Sequence, residues 1–293
     1  MSRPEFQAPP EIYYGDTEAK KYTHNTRNQA IQAEMTDRAL ELLNLPEGQP
    51  ALLLDIGCGS GLSGEILDEE GYTWVGLDIA PSMLEVALER EVEGDLFLHD
   101  IGQGLGFRPG SFDGAISISV LQWLCNADTT SPTSSPPARL TRFFTSLHAA
   151  LTRSARAVFQ FYPQSDDQVT LITSIAMRCG FEGGLVVDYP NSQKAKKFFL
   201  CLFAGGGESS GGARRKVEIP KGLDGDGGEQ EREPAAFEKR RTNGRGEKGK
   251  KRKGAKENHK DWILRKKELY RKRGKEDVPR DSKFTGRKRK SVF

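Results

Sequence analysis

The sequence predicts a doubly wound α/β fold around a mainly parallel sheet, and three observations predict it. Strand-length apolar runs alternate with helical patterns from residue 51 to residue 203, the order expected of consecutive βαβ units. The run Leu52-Leu53-Leu54-Asp55-Ile56 stops at a glycine-rich turn, Gly57-Cys58-Gly59-Ser60-Gly61, that leads into a helical segment. A second run, Thr73-Trp74-Val75-Gly76-Leu77-Asp78, then closes on a carboxylate.

Residues 1–15 are expected to form an extended arm, because Pro4, Pro9 and Pro10 discourage helix. From Thr17 to Leu45 the residues Ile31, Met35, Ala39, Leu42 and Leu43 recur at helical spacing, with Thr17 as cap and Pro46, Gly48 and Pro50 as the stop. Residues 1–50 are thus an arm and helix expected to cover the ligand site, and 51–204 a ligand-binding domain. Strands are expected at 51–55, 73–78, 95–99, 112–119, 155–162, 182–188 and 198–203, and helices at 61–70, 81–91, 138–151 and 166–179. On such sheets ligands bind beyond the carboxyl ends of the strands, at the switch point. Asp55, Asp78, Asp100 and Ser119 fall near such ends.

Composition changes at Gly205. Residues 1–204 carry 15 Lys/Arg against 26 Asp/Glu, and residues 205–293 carry 29 against 15. The stretch 205–212 reads as a flexible linker and 205–257 as disordered. In 258–293, Asp261 to Tyr270 can form a short basic helix and Gly286-Arg287-Lys288-Arg289-Lys290 adds a terminal cationic cluster. That tail is expected to bind nucleic acid or an import receptor, although a solvated charge run has the same composition.

The four cysteines lack C-x-x-C spacing and the four histidines are scattered. Reduced thiols and no metal site are expected. No secretory signal and no membrane-length apolar run is present, so a soluble protein of a reducing compartment is expected.

The glycines let the turn lie against a ligand without a Cβ in the way, and the following helix offers unpaired N–H groups. Asp78 lies where a ribose hydroxyl pair would sit, or else caps the helix near Pro81. A nucleoside-like cofactor is implied. Gly59-Ser60-Gly61-Leu62-Ser63-Gly64 also matches the G-x-G-x-x-G dinucleotide pattern, but its first glycine comes four residues after Asp55, whereas that fingerprint opens almost at the strand end. The pattern Asp55-Ile56-Gly57-Cys58-Gly59-Ser60-Gly61 instead resembles motif I of the class I S-adenosylmethionine-dependent methyltransferases. On that resemblance, Asp100 and Ile101 are expected at the adenine, with a turn-forming Asp as the alternative for Asp100. Cys58 is the small residue the turn tolerates, not a catalytic thiol. Trp123, after the fourth strand, either stacks a purine or packs against the core.

Further segments sharpen the resemblance. They are Tyr13-Tyr14 with Ala19-Lys20-Lys21-Tyr22, Asp100-Ile101-Gly102-Gln103-Gly104, Phe112 to Ser119, Gln122-Trp123-Leu124-Cys125-Asn126, Val187 to Ser192, and Thr285 to Lys290. With them the chain is similar to the eukaryotic small-subunit (18S) rRNA guanine-N7 methyltransferases over roughly residues 11–204 and 258–293. Ala127 to Ala138 and residues 205–235 have a composition of their own.

The resemblance implies a seven-stranded, Rossmann-like methyltransferase sheet whose last two strands, joined through Tyr189 to Lys197, form an antiparallel edge hairpin. It implies S-adenosylmethionine as methyl donor, a guanine of 18S rRNA on the pre-40S particle as acceptor, and a nuclear, nucleolar location with possible cytoplasmic presence. A small zinc-binding activator is implied as heterodimer partner, pairing with an exposed sheet edge, for which Leu96-Phe97-Leu98 fits. The cofactor residues it implies are Tyr13, Tyr22, Asp55, Gly57, Cys58, Gly59, Gly61, Asp78, Ile79, Asp100, Ile101 and Ser117. Ser117, Gln122 and Trp123 are expected at the acceptor, and Tyr13, Tyr14 and Tyr22 in a lid. Two other functions share this pattern: a small-molecule methyltransferase with an incidental basic tail, and a ribosome-assembly factor acting mainly by binding.

Overall fold

The computed structural model describes residues 3–46, 48–126, 134–192, 195–205 and 220–223. These belong to the first of two units, Met1–Gly227; the second, Gly228–Phe293, with the basic segment, lies outside the described residues.

Seven strands form one sheet: β1 (Leu52–Ile56), β2 (Thr73–Asp78), β3 (Asp95–Leu98), β4 (Phe112–Ile118), β5 (Leu151–Phe161), β6 (Phe181–Asp188) and β7 (Lys197–Ala204). Their order is β3-β2-β1-β4-β5-β7-β6. The first five are parallel to one another, and β7 runs antiparallel to both β5 and β6. The expected terminal hairpin is therefore present, with β7 inserted and β6 left at one edge. The order reverses between β2 and β4 around β1, so the carboxyl ends of β1 and β4 open a crevice.

Helices α4 (Leu62–Glu70), α5 (Pro81–Glu89), α7 (Pro136–Ala150) and α8 (Asp166–Arg178) fall close to the expected positions, with a short α6 (Leu121–Leu124) after β4. α7 and α8 bury Leu140, Phe143, Phe144, Leu147, Ile172 and Ile175 in one core cluster with Phe159 and Phe161 of β5. Met35, Ala39, Leu42 and Leu43 join a second cluster with Leu53, Trp74, Ile116 and Val158. Substituting Ala for one of the fully buried phenylalanines would cost about 3–5 kcal/mol.

The N-terminal expectation is corrected in two ways. The arm is not simply extended: a 3-10 turn covers Pro4–Phe6 and α1 covers Pro10–Tyr13, each with proline in its first turn. Proline is favoured there, because its missing N–H would be unpaired anyway. The single helix from Thr17 is two helices, α2 (Asp16–His24) and α3 (Thr26–Leu43). They break at Asn25, whose side chain accepts from the Arg27 and Asn28 amides and caps α3. β5 also begins earlier than expected, through a register shift opposite Phe112–Gly114 and a positive φ of 67° at Ser154.

Within the stretch expected to be linker, Pro220–Leu223 has a described conformation against the end of β6. Leu223 N donates to Asp188 Oδ1 at 2.8 Å and Tyr189 N donates to the Leu223 carbonyl at 2.6 Å.

Candidate functional site

The loop after β1 is fixed by the neighbouring strand. The amides of Gly57 and Cys58 both donate to the Leu77 carbonyl, at 2.7 and 3.0 Å. Gly57 (φ +75°) and Gly59 (φ +53°) adopt left-handed backbone, and a Cβ on Gly57 would meet Val120 Cγ2 at 2.2 Å. Only glycine satisfies both the angle and the space.

Two carboxylates flank this loop. Asp78 Oδ2 accepts from Gly59 N and Oδ1 from Ala80 N, both at 2.8 Å. Burial raises the Asp78 carboxyl, while amides of Ala80, Gly59 and Ile79 oppose that rise. Asp55 is fully buried; Ser63 Oγ donates to its Oδ2, and its Oδ1 has no partner among the described residues. Burial, and secondarily the Asp78 charge, push its carboxyl up to about 7 against the pull of Ser63.

Asp100 follows β3 and caps the 3-10 turn Ile101–Gln103. Its Oδ1 accepts from Gly102 N at 2.9 Å and from Arg139 Nη2 at 2.8 Å. Across the cavity, aromatic rings gather. Tyr14 lies 5.0 Å from Tyr13, 5.7 Å from Tyr22 and 5.8 Å from Trp123, and Tyr13 lies 6.1 Å from Trp123. Burial raises the phenols of Tyr14 and Tyr22, the latter to about 12, so both stay neutral donors at physiological pH.

One cavity of about 530 Å³ joins these groups. Gly57, Cys58, Gly59, Asp78, Ile79, Asp100, Ile101, Tyr22 and Trp123, all candidate site residues of the sequence, line it. Asp55, Gly61 and Tyr13 stand behind the wall: Asp55 holds Ser63, Gly61 precedes α4, and Tyr13 backs Tyr14 and Trp123.

Ser117 and Gln122 do not border the cavity as expected. Ser117 is inside β4, fully buried, and its hydroxyl donates to the Ile56 carbonyl at 2.8 Å. Gln122 is buried too, donating to the Ser119 carbonyl at 2.8 Å and accepting from Tyr162 N at 3.4 Å. Ser119, just past the strand end with φ +65°, reaches the cavity instead. Asn126, the last residue of the Gln122–Asn126 segment, also lines it, as do Glu5 and Arg139, which no sequence motif marks. Only the proline-rich arm preceding Tyr13-Tyr14 hinted that residues so far upstream return here.

A methyltransferase-domain family matches residues 54–135, and a family described as methyltransferase involved in Williams-Beuren syndrome matches residues 202–291. An 18S rRNA (guanine-N(7))-methyltransferase of Mus musculus is 54% identical over 291 residues, covering 99% of this chain and 98% of the relative. The 18S rRNA (guanine(1575)-N(7))-methyltransferase of Saccharomyces cerevisiae is 54% identical over 297 residues, covering 100% of both. Among solved structures, a phosphoethanolamine N-methyltransferase of Haemonchus contortus in complex with S-adenosyl-L-methionine shares the fold. Its TM-score is 0.51 at 18% identity, with 70% of this chain and 60% of that chain covered. Full-length identity at this level, with the glycine loop and Asp78 inside the matched methyltransferase domain, establishes that the chain belongs to the 18S rRNA (guanine-N7)-methyltransferase family.

Proposed function

We propose that this chain transfers a methyl group from S-adenosylmethionine to N7 of a guanine in small-subunit rRNA, within small-subunit biogenesis. The observation that carries it is the end-to-end identity with enzymes named for that reaction.

The cavity fits the cofactor. Ser60 Oγ is buried there without a partner among the described residues, and Asp78 and Asp100 offer carboxylates from two strand ends. In this reading Asp78 holds the ribose hydroxyls, Asp100 and Ile101 hold the adenine, and Gly57, Cys58 and Gly59 give the methionine end close approach. Asp55 and Gly61 shape that loop, and Tyr13, Tyr14 and Tyr22 form part of the lid. S-adenosylmethionine, when bound, supplies an electrophilic methyl group.

Guanine N7 carries an in-plane lone pair, so no proton has to leave and no general base is needed. Among the described residues the cavity's one histidine is His99, whose Nε2 lies 2.6 Å from the Gly104 carbonyl oxygen. The chain's task is then to align the acceptor and exclude water. Trp123 and Tyr14 are suited to stack the base. Ser117 and Gln122 contribute by holding the floor of the site, Ser117 through β1 and Gln122 through Ser119 and β5.

The partner is the one the family likeness implies, and the sheet edge supports it. Phe97 and Leu98 of edge strand β3 are 49% and 62% exposed, and Leu88 on neighbouring α5 is 67% exposed. A small zinc-binding activator adding a strand here would cover an apolar edge that is otherwise an aggregation hazard. Its zinc would be its own; among the described residues no group of three His, Cys, Asp or Glu could hold a metal. No helix among the described residues is long and apolar enough to cross a membrane. A nucleolar and nuclear location goes with an rRNA substrate, and 258–293 is the segment proposed to bind RNA and direct import.

The test is transfer of labelled methyl from S-adenosylmethionine to small-subunit precursors, by the chain co-expressed with its activator. Deleting 205–293 should lower transfer to RNA. A full chain that methylates small molecules and not the RNA, with that choice unchanged by the deletion, would contradict the reading.

A further inference from the structure

The carboxylate of Glu5 is used by nothing described above. Glu5 lies in the 3-10 turn Pro4–Phe6, and its side chain is 6% exposed. It nevertheless lines the same cavity as the glycine loop, Tyr14, Trp123 and Asn126. Its one ion-pair contact among the described residues is Arg3 Nη1 at 3.7 Å, beyond hydrogen-bonding distance. Arg3 Nη1 is itself engaged with the carbonyls of Tyr162 and Pro163, at 3.1 Å each.

The turn that carries Glu5 is held independently of the carboxylate. Asn126 Nδ2 donates to the Glu5 carbonyl at 3.3 Å, and the amides of Phe6 and Gln7 close the turn onto Arg3 and Pro4. A carboxylate this enclosed is costly unless donors meet it. Glu5 lines the cavity and its charge acts on the neighbouring Tyr14 phenol, so a ligand bound there can supply the donors that the described residues do not.

Purine chemistry says which base supplies them. The Watson–Crick edge of guanine presents N1–H and the 2-amino group side by side, a match for the two oxygens of a carboxylate. Adenine presents an acceptor at N1 and no 2-amino group, so the same carboxylate would repel it. A base that undergoes chemistry must leave its stack, and it is then read on that edge while aromatic side chains hold its faces.

We propose that Glu5 is the residue that selects guanine, its carboxylate accepting from N1–H and the 2-amino group of the flipped acceptor base. This rests on the N7-methylation reading and deepens it. N7 alkylation leaves the purine cationic and makes N1–H a stronger donor. The contact therefore tightens as the bond to N7 forms, and contributes to rate as well as to recognition. Glu5 thus ties the N-terminal arm to acceptor choice, beyond covering the cofactor.

The test uses the full chain co-expressed with its activator, and small-subunit rRNA whose mapped acceptor guanosine is replaced by inosine through splinted ligation. Inosine keeps N7, O6 and N1–H and lacks only the 2-amino group. Wild type should methylate the inosine RNA about tenfold or more slowly than the guanosine RNA, the loss expected for a hydrogen bond to a charged group. Glu5→Gln should slow guanosine methylation by a similar factor and bring the guanosine-to-inosine ratio close to one, with S-adenosylmethionine affinity by calorimetry unchanged. Two results would overturn the proposal. One is Glu5→Gln working at the wild-type rate. The other is a slowed variant that keeps the wild-type guanosine-to-inosine ratio, which would make Glu5 a strut for the arm. Wild type binding cofactor but methylating neither RNA would instead remove the N7-methylation reading, and this proposal with it.

Discussion

Asp78 Oδ2 accepts a hydrogen bond from the Gly59 amide at 2.8 Å, tying the tip of β2 to the middle of the loop that follows β1. The same carboxylate is the one proposed to hold the cofactor ribose, so loop geometry and ligand recognition meet in one side chain. Asp78→Ala should lower S-adenosylmethionine affinity about tenfold or more, the scale of losing charge-assisted hydrogen bonds. Its far-UV circular dichroism should stay that of a folded protein. Calorimetric titration beside a thermal melt checks both; near-normal affinity would remove the ribose role.

Trp123 sits with Tyr13 and Tyr14 on the cavity wall at centroid distances of 6.1 and 5.8 Å. If it stacks the acceptor base, Trp123→Ala should lose about 1–3 kcal/mol of acceptor stabilisation, with cofactor affinity much less affected. Single-turnover methylation and a cofactor titration on one preparation separate the two. A loss confined to cofactor binding would assign Trp123 to the lid instead.

Away from the site, Arg38 and Asp188 form a two-pronged ion pair at 2.9 and 3.2 Å. Asp188 is 2% exposed, and Arg38 Nη2 also donates to the Lys221 carbonyl at 3.0 Å. Arg38→Met leaves a buried carboxylate without its cation and should destabilise by about 3–5 kcal/mol, whereas removing both charges together should cost less. Urea unfolding of the single and double variants measures the difference.

Asp55 gives a pH dependence with a definite sign. Its folded carboxyl titrates near 7, against about 3.9 in an unfolded chain. Between those values the folded state binds more protons, so the Asp55 contribution to stability is full below about 4 and is lost as pH rises through about 7. The difference in melting temperature between Asp55→Asn and wild type should therefore shift in favour of the variant across that window. A difference that does not change with pH would mean the carboxyl is ionised throughout.

The edge strand offers a separate check on the partner. Leu98→Asp places a charge on an exposed apolar position of β3 and should abolish co-purification with the zinc-binding activator. Cofactor affinity of whatever soluble protein remains should be retained. Full co-purification would move the activator to another surface.

Much of this was legible because it is written locally. A strand-length apolar run, three glycines and an acid at the next strand tip lie within 27 residues, from Leu52 to Asp78, and they fold as read. The hairpin of β6 and β7 was likewise visible from its own residues and family likeness. The misreadings have different physics. Asn25 breaks the N-terminal helix through a two-residue side-chain cap that apolar periodicity does not register. Ser117 lies near the right strand end, but burial turns its hydroxyl to Ile56, and Ser119, two residues on, reaches the cavity. Glu5 could not be found from spacing, because its turn is joined to the site by a contact with Asn126, 121 residues away.

The most direct measurement is borohydride–aniline mapping of N7-methylguanine in small-subunit rRNA after incubation with S-adenosylmethionine and the activator-bound chain. The account predicts a single cleavage site with wild type, lost with Asp78→Ala. Cofactor binding with no cleavage on intact small-subunit precursors would contradict it and assign the cavity to another acceptor.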